Sequence, residues 1–207
     1  MDVPASAPLA DPIARWEDAR RVESWAGESR VNFIRALAVA AFYGHHLLWM
    51  YVLPGPRPTA AYHQTVTLIA AGWALTVAAL QTALSRRFWP GWLKYGSVSA
   101  DLFLTTLLVM AAGGPKSPLV VIYLMVVASA ALRLSLRLVW VATGLCLFGY
   151  LSAAAFIIQT RPADRIAHPD QIVFMIAVGG VGLIAGQMVR QARRLIRGSP
   201  VEVEDAP

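Results

Sequence analysis

Three groups of residues in this chain are of types that do chemistry. Asp101 stands in SADLFLTTLLVM, the one acidic residue inside a long apolar run. A carboxyl there is costly to bury and faces a bundle interior or a polar site. It could belong to a binding site or a proton relay. The plainer alternative is structural: a protonated hydrogen-bond donor to a neighbouring helix, or an ion pair with Arg133 or Arg137. His45 and His46 lie further along the first apolar run. Adjacent helical residues diverge by about 100°, so one of them at most faces a given ligand. A haem or metal would need opposed ligands at the same depth, and His63 and His168 are expected at the outer surface. A single imidazole donating to a polar headgroup or to another helix is the expected role. The third group is GGPKSPL, Gly113 to Leu119. Paired glycines tolerate positive φ and leave backbone N–H groups open. Pro115 and Pro118 stiffen the rest of the loop. Lys116 and Ser117 supply donors for the carbonyl of a lipid-soluble ligand. The same spacing is also that of a tight hairpin turn and nothing more.

The elements that must position these groups are legible from composition. Of 207 residues, 57% are hydrophobic and 14% charged, with a mean hydropathy of +0.54. Soluble domains average roughly 45–50% and 25%. A globule of this size has no room to hide that much apolar surface, so lipid is the expected solvent. Unbroken runs such as LIAAGWALTVAAL exclude an alternating transmembrane barrel. The expected fold is all-α, a polytopic bundle of six transmembrane helices. The spans are 33–53, 62–84, 95–112, 119–133, 138–158 and 171–189. The fourth is short, and RLSLR (Arg133 to Arg137) separates it from the fifth, because a single helix over 119–158 would be about 60 Å long against a core of about 30 Å. A short fourth helix draws the Gly113–Leu119 loop into the outer leaflet.

With the N terminus in the cytoplasm, fourteen of the eighteen Lys and Arg fall on the inner side. This count includes Arg35, Arg133 and Arg137, and the bias alternates loop by loop as the positive-inside rule requires. Both termini are therefore expected in the cytoplasm of a bacterium, with the bundle in the inner membrane. Residues 1–32 read as a cytoplasmic segment with a possible surface helix, 33–189 as the membrane domain, and 190–207 as a basic cytoplasmic tail. Trp49, Tyr51, Trp89, Trp92 and Tyr95 suit interfacial anchoring. Ala70, Ala74 and Ala78 form a small-residue stripe, and Gly182 and Gly186 a GxxxG that packs within the chain or forms a homodimer face. Cys146, the only cysteine, reads as packing.

The net charge of +6 is explained by these inner-side cations. No basic groove interleaved with aromatics appears, so nucleic acid is not an expected partner. No GxSxG, HExxH, P-loop or aspartate-rich pair is present, and no enzyme activity is expected.

The stretch from SADLFLTTLLVMAAGGPKSPL to RLSLRLVWVA resembles the six-helix N-terminal sensor region of bacterial histidine kinases, of the RegB/PrrB and PilS kinds. In the RegB group a GGxxNPF heptapeptide between the third and fourth helices is implicated in ubiquinone binding. Gly113, Gly114 and Pro118 match it; Ser117 replaces its Asn and Leu119 its Phe. The resemblance implies a quinone-like ligand, ubiquinone or menaquinone, at Gly113, Gly114, Ser117, Pro118 and Leu119. Asp101, His45 and His46 are lower-ranked polar members. No phosphoacceptor helix or ATP-binding domain is present in this chain. The expected function is therefore a non-catalytic sensory or regulatory module, acting through a cytoplasmic kinase or other partner. A small transporter or permease subunit, or a membrane scaffold for a cytoplasmic partner, is the alternative.

Overall fold

A computed structural model describes residues 12–86, 90–162 and 167–198. The expectations for residues 1–11 and 199–207, and for Arg87, Trp89 and Arg165, lie outside the described residues. The described residues are all-α, with six helices: α1 (Pro12–Tyr51), α2 (Ala60–Ser85), α3 (Leu93–Ala111), α4 (Val121–Ala131), α5 (Leu136–Thr160) and α6 (His168–Gly198). Two single 3₁₀ turns, Gly114–Lys116 and Pro118–Val120, join α3 to α4.

Four helices, α2, α3, α5 and α6, are long and apolar enough to cross a membrane, and the protein is a multi-pass membrane protein on that basis. The other two expected spans depart from the pattern for visible reasons. Arg35, His45 and His46 dilute the apolar run within α1. At 11 residues α4 rises only about 16 Å, roughly half a bilayer core.

The expected surface helix is not a separate element. The backbone runs helical without a break from Pro12 to Tyr51, 40 residues or about 60 Å. No proline or glycine pair interrupts this stretch, so the polar N-terminal part continues the axis of the apolar part. At the other end, α6 carries RQARRLIRG on as helix beyond its apolar stretch.

Between α4 and α5 the chain turns within RLSLR, as expected. Leu134 takes a left-handed φ of 49° there. Its carbonyl accepts from Arg193 Nε of α6 at 2.8 Å, so the turn is tied to the last helix.

Packing radiates from α5. It lies against α3, α4 and α6, while α1 packs on α2 and α2 on α3. The buried residues Ala142, Cys146, Ala153 and Ile157 line one face of α5 at helical spacing. Cys146 packs as expected, and its thiol donates to the Tyr123 carbonyl at 3.4 Å. Gly182 and Gly186 also face α5. A Cβ on Gly182 would sit 2.5 Å from Thr143 Oγ1, and one on Gly186 3.3 Å from Leu136 Cδ1. That face packs against the chain's own α5. Of the alanine stripe on α2, Ala74 and Ala78 are exposed, while Ala70 is half-buried.

Candidate functional site

The three chemical groups converge on one groove. Its volume is about 330 Å³, and its walls come from α1, α2, α3, α4 and the second 3₁₀ turn. Because α1 packs chiefly on α2, it stands away from α4, and the space between them is the groove. Val39, Phe42, Val66, Ile69, Leu108, Ile122 and Val126 make the wall mostly apolar. Ile34, His45, Trp49 and Met125 line it and are exposed, so it is open along them.

The loop folds in a way only its sequence permits. Gly113 and Gly114 take φ of 95° and 78°, where L side chains are strained. A Cβ on Gly114 would also lie 2.3 Å from Ile157 Cγ1 of α5. The glycines therefore turn the chain and seat it on α5; neither lines the groove. Lys116 is exposed and does not line it either. Ser117, Pro118 and Leu119 do. Ser117 is buried, and its Oγ accepts from the Leu119 N–H at 3.2 Å. That leaves the hydroxyl hydrogen free to donate, and no acceptor for it lies among the described residues.

His46 and His63 form the nearest polar pair. His46 Nε2 and His63 Nδ1 are 3.0 Å apart, with rings stacked at 17°. His46 therefore has a second histidine level with it, where none was expected at its depth. The pair joins α1 to α2, and Tyr43, Tyr51 and Tyr62 rings surround it. His45, on the neighbouring face of α1, is exposed yet borders the groove. Among the described residues no group of three or more His, Cys, Asp or Glu could hold a metal ion.

Asp101 lies at the opposite end of the groove. The expected hydrogen bond to a neighbouring helix is present, and the ion pair is made with Arg35, not with Arg133 or Arg137. Arg35 Nε donates to Oδ1 at 2.7 Å and Nη2 to Oδ2 at 2.5 Å, a two-pronged ion pair with both residues under 10% exposed. Trp73 Nε1 donates to Oδ1 at 3.0 Å. Three donors converge on the carboxyl, so it accepts rather than donates. Arg35 Nη1 also donates to Asn32 Oδ1 at 3.1 Å, and Asn32 Nδ2 donates to Val77 O and Gln81 Oε1 of α2. The network clamps α1, α2 and α3 together.

Arg133 is held elsewhere. Its Nε lies 2.8 Å from Glu28 Oε2, and its Nη2 donates to Ser97 Oγ at 2.9 Å. Burial holds the Glu28 carboxyl above its ordinary value, against the opposing pull of Arg133, Arg35 and Lys94.

Arg35, Trp73 and His63 escaped the sequence reading, for identifiable reasons. Arg35 reads as one more inner-side anchor because it stands near the start of its apolar run. Arg35 and Asp101 both stand near the start of their apolar runs, in helices α1 and α3 that run parallel with α2 between them, and that shared depth is the signal that pairs them. His46 and His63 flank the short α1–α2 connection nearly symmetrically, which brings them level.

The fold and groove define a class: an all-helical, multi-pass membrane protein with a polar-ended apolar groove. Comparison of the chain with protein-family models, with curated proteins and with solved structures found no match.

Proposed function

We propose that this protein is a non-catalytic membrane sensory module that binds a small carbonyl-bearing hydrophobic ligand, of the quinone class, in the groove under the Gly113–Leu119 loop. The observation that carries the reading is convergence. Ser117, Pro118 and Leu119 meet His45, His46 and Asp101 on one apolar cavity, although these residues are scattered over 75 positions of sequence. A mostly apolar wall with a few placed polar groups is the usual make-up of a small-molecule site. The free Ser117 hydroxyl supplies a donor for a carbonyl, with less reach than the amide at the matching place of the RegB-type heptapeptide. A ligand wedged between α1 and α4 would favour one spacing of these helices over another, and that differential affinity is what a signal requires. The helical extensions of α1 and α6 beyond their apolar stretches are the elements that would carry it to a partner, on the side where Arg190, Arg193 and Arg194 stand. The bacterial inner membrane, with both termini in the cytoplasm, is the location that fits the charge bias.

The test is fluorescence titration of the purified protein in lipid nanodiscs with decyl-ubiquinone, since Trp49 and Trp73 form part of the wall. Saturable quenching is expected. Ser117→Ala removes one net hydrogen bond of about 0.5–1.5 kcal/mol and weakens binding roughly 2- to 12-fold. Ile122→Trp fills the groove and abolishes saturation. Quenching that rises linearly and ignores both substitutions would remove the reading.

A further inference from the structure

The groove carries two polar regions with an apolar stretch between them. On α1 these are marked by Arg35 and His46, within a lining that runs from Val31 to Trp49; on α2 the matching stretch runs from Trp73 to Tyr62, along α3 from Asp101 to Ala112 just past its end, and along α4 from Ser129 back to Leu119 of the preceding turn. Each stretch is ten or eleven residues, about 15–16 Å of helix.

The two ends differ in what they offer. At the loop end, Ser117 has an unengaged hydroxyl hydrogen, and the Tyr62 hydroxyl has no partner among the described residues. This end gives donors to a carbonyl. At the other end stands the Arg35–Asp101 pair, charge-neutral as a unit. Arg35 carries five N–H groups. Three are used, two on Asp101 and one on Asn32. Asp101 Oδ2 accepts from Arg35 alone, while Oδ1 takes both Arg35 and Trp73. The pair thus keeps spare donors and a spare acceptor at the groove wall. A neutral group able both to donate and to accept satisfies them. An added charge would unbalance a pair that is already matched and buried. An apolar chain end would leave these groups with nothing to bond.

We infer that the groove is built for a chain-like ligand with a polar group at each end: a carbonyl head under the loop and, some ten to twelve carbons away, a neutral hydroxyl-like group against Arg35 and Asp101. This rests on the proposed binding of a carbonyl-bearing ligand and adds the second point of recognition.

The experiment compares two quinones that differ by one atom, decyl-ubiquinone and its 10-hydroxydecyl counterpart, in the same nanodisc titration. A methylene of an extended chain advances about 1.25 Å for a carbon–carbon bond of about 1.5 Å, so ring plus ten carbons matches the groove. A terminal hydroxyl buried without a partner weakens binding. The hydroxylated analogue is instead expected to bind about five-fold tighter, the worth of one net hydrogen bond. The gain should peak at ten to twelve carbons and vanish with chains of six and of sixteen. In the near-isosteric Arg35→Gln/Asp101→Asn double variant, the ratio of the two affinities, hydroxylated over plain decyl analogue, is expected to fall to about one, whatever the variant does to the affinity for decyl-ubiquinone itself. Should that variant fail to fold, the chain-length series on the unaltered protein decides alone. A hydroxyl that weakens binding, or a gain indifferent to chain length, overturns the second recognition point while leaving the groove as a quinone site. Absence of saturable binding by either analogue overturns both.

Discussion

Among the described residues, the buried charges Arg35, Asp101, Glu28 and Arg133 sit in pairs whose partners come from different helices or from the turn beside one. Arg35 is matched by Asp101 and Arg133 by Glu28, so each charge has an opposite neighbour within hydrogen-bond reach. Removing one member of such a pair leaves an uncompensated buried charge, which is far costlier than never having had the pair. Glu28 gives this a pH signature. Its ordinary value is 4.5 and burial raises it in the folded protein. Between 4.5 and the raised value the folded state holds a proton that the unfolded chain has released. The unfolded state then binds fewer protons, so stability falls as pH rises through that window. Thermal unfolding in detergent, measured from about pH 4 to about pH 8, should show this decline, and Glu28→Gln should flatten it. Equal slopes in the two proteins would show that Glu28 does not titrate on unfolding. At this same scale the sequence was most misleading. Asp101 was visible as a candidate because it is the one acid in an apolar run. Its partner was not, because an arginine near the start of a span looks like an interfacial anchor until a second helix is placed beside it.

Among the elements, small residues permit close approach, and α5–α6 is the clearest case. Gly182 lets the Thr143 side chain enter the surface of α6; a Cβ there would stand 2.5 Å from Oγ1 and 2.9 Å from Cγ2. Gly182→Val should therefore push the helices apart, at an overpacking cost of about 1–3 kcal/mol. The melting temperature in detergent should drop, and Thr143→Ala in the same chain should restore part of it. No recovery in the double variant would mean that the two residues do not meet. The GxxxG was legible in the sequence; which helix it faced was not, since the spacing is the same for an internal and an external partner. The turn at RLSLR was legible from length alone, because one helix across it would overrun the bilayer. The unbroken α1 was not, since charged residues beside an apolar run are equally compatible with a break and with continuation. The Gly113–Leu119 loop divides by residue. Its glycines serve the turn and the seat on Ile157, and only Ser117, Pro118 and Leu119 reach the groove.

Across the whole molecule, the architecture arises from one imbalance. Helices α3, α4 and α6 pack around α5, and α1 is attached chiefly through α2 and through the Arg35–Asp101 and Glu28–Arg133 pairs. A helix held by a neighbour and two ion pairs, rather than by a filled interface, leaves a groove along its inner side. It is also the helix with the longest polar extension. An occupant of the groove therefore bears on the element best placed to report it. Hydropathy shows that most of the bundle belongs in lipid. It does not show the groove, because an apolar residue lining a cavity and one packed in a core have the same type and spacing.

Photo-crosslinking tests the central claim most directly. The protein in nanodiscs is irradiated with an azido-ubiquinone, and the labelled peptides are mapped by mass spectrometry. Label is expected on the groove wall, on the α1 segment around Phe42 to Trp49 and on the stretch from Ser117 of the loop to Met125 of α4, and excess decyl-ubiquinone should displace it. Label confined to the lipid-facing surfaces of α2 and α6, or undiminished by the competitor, would contradict the account.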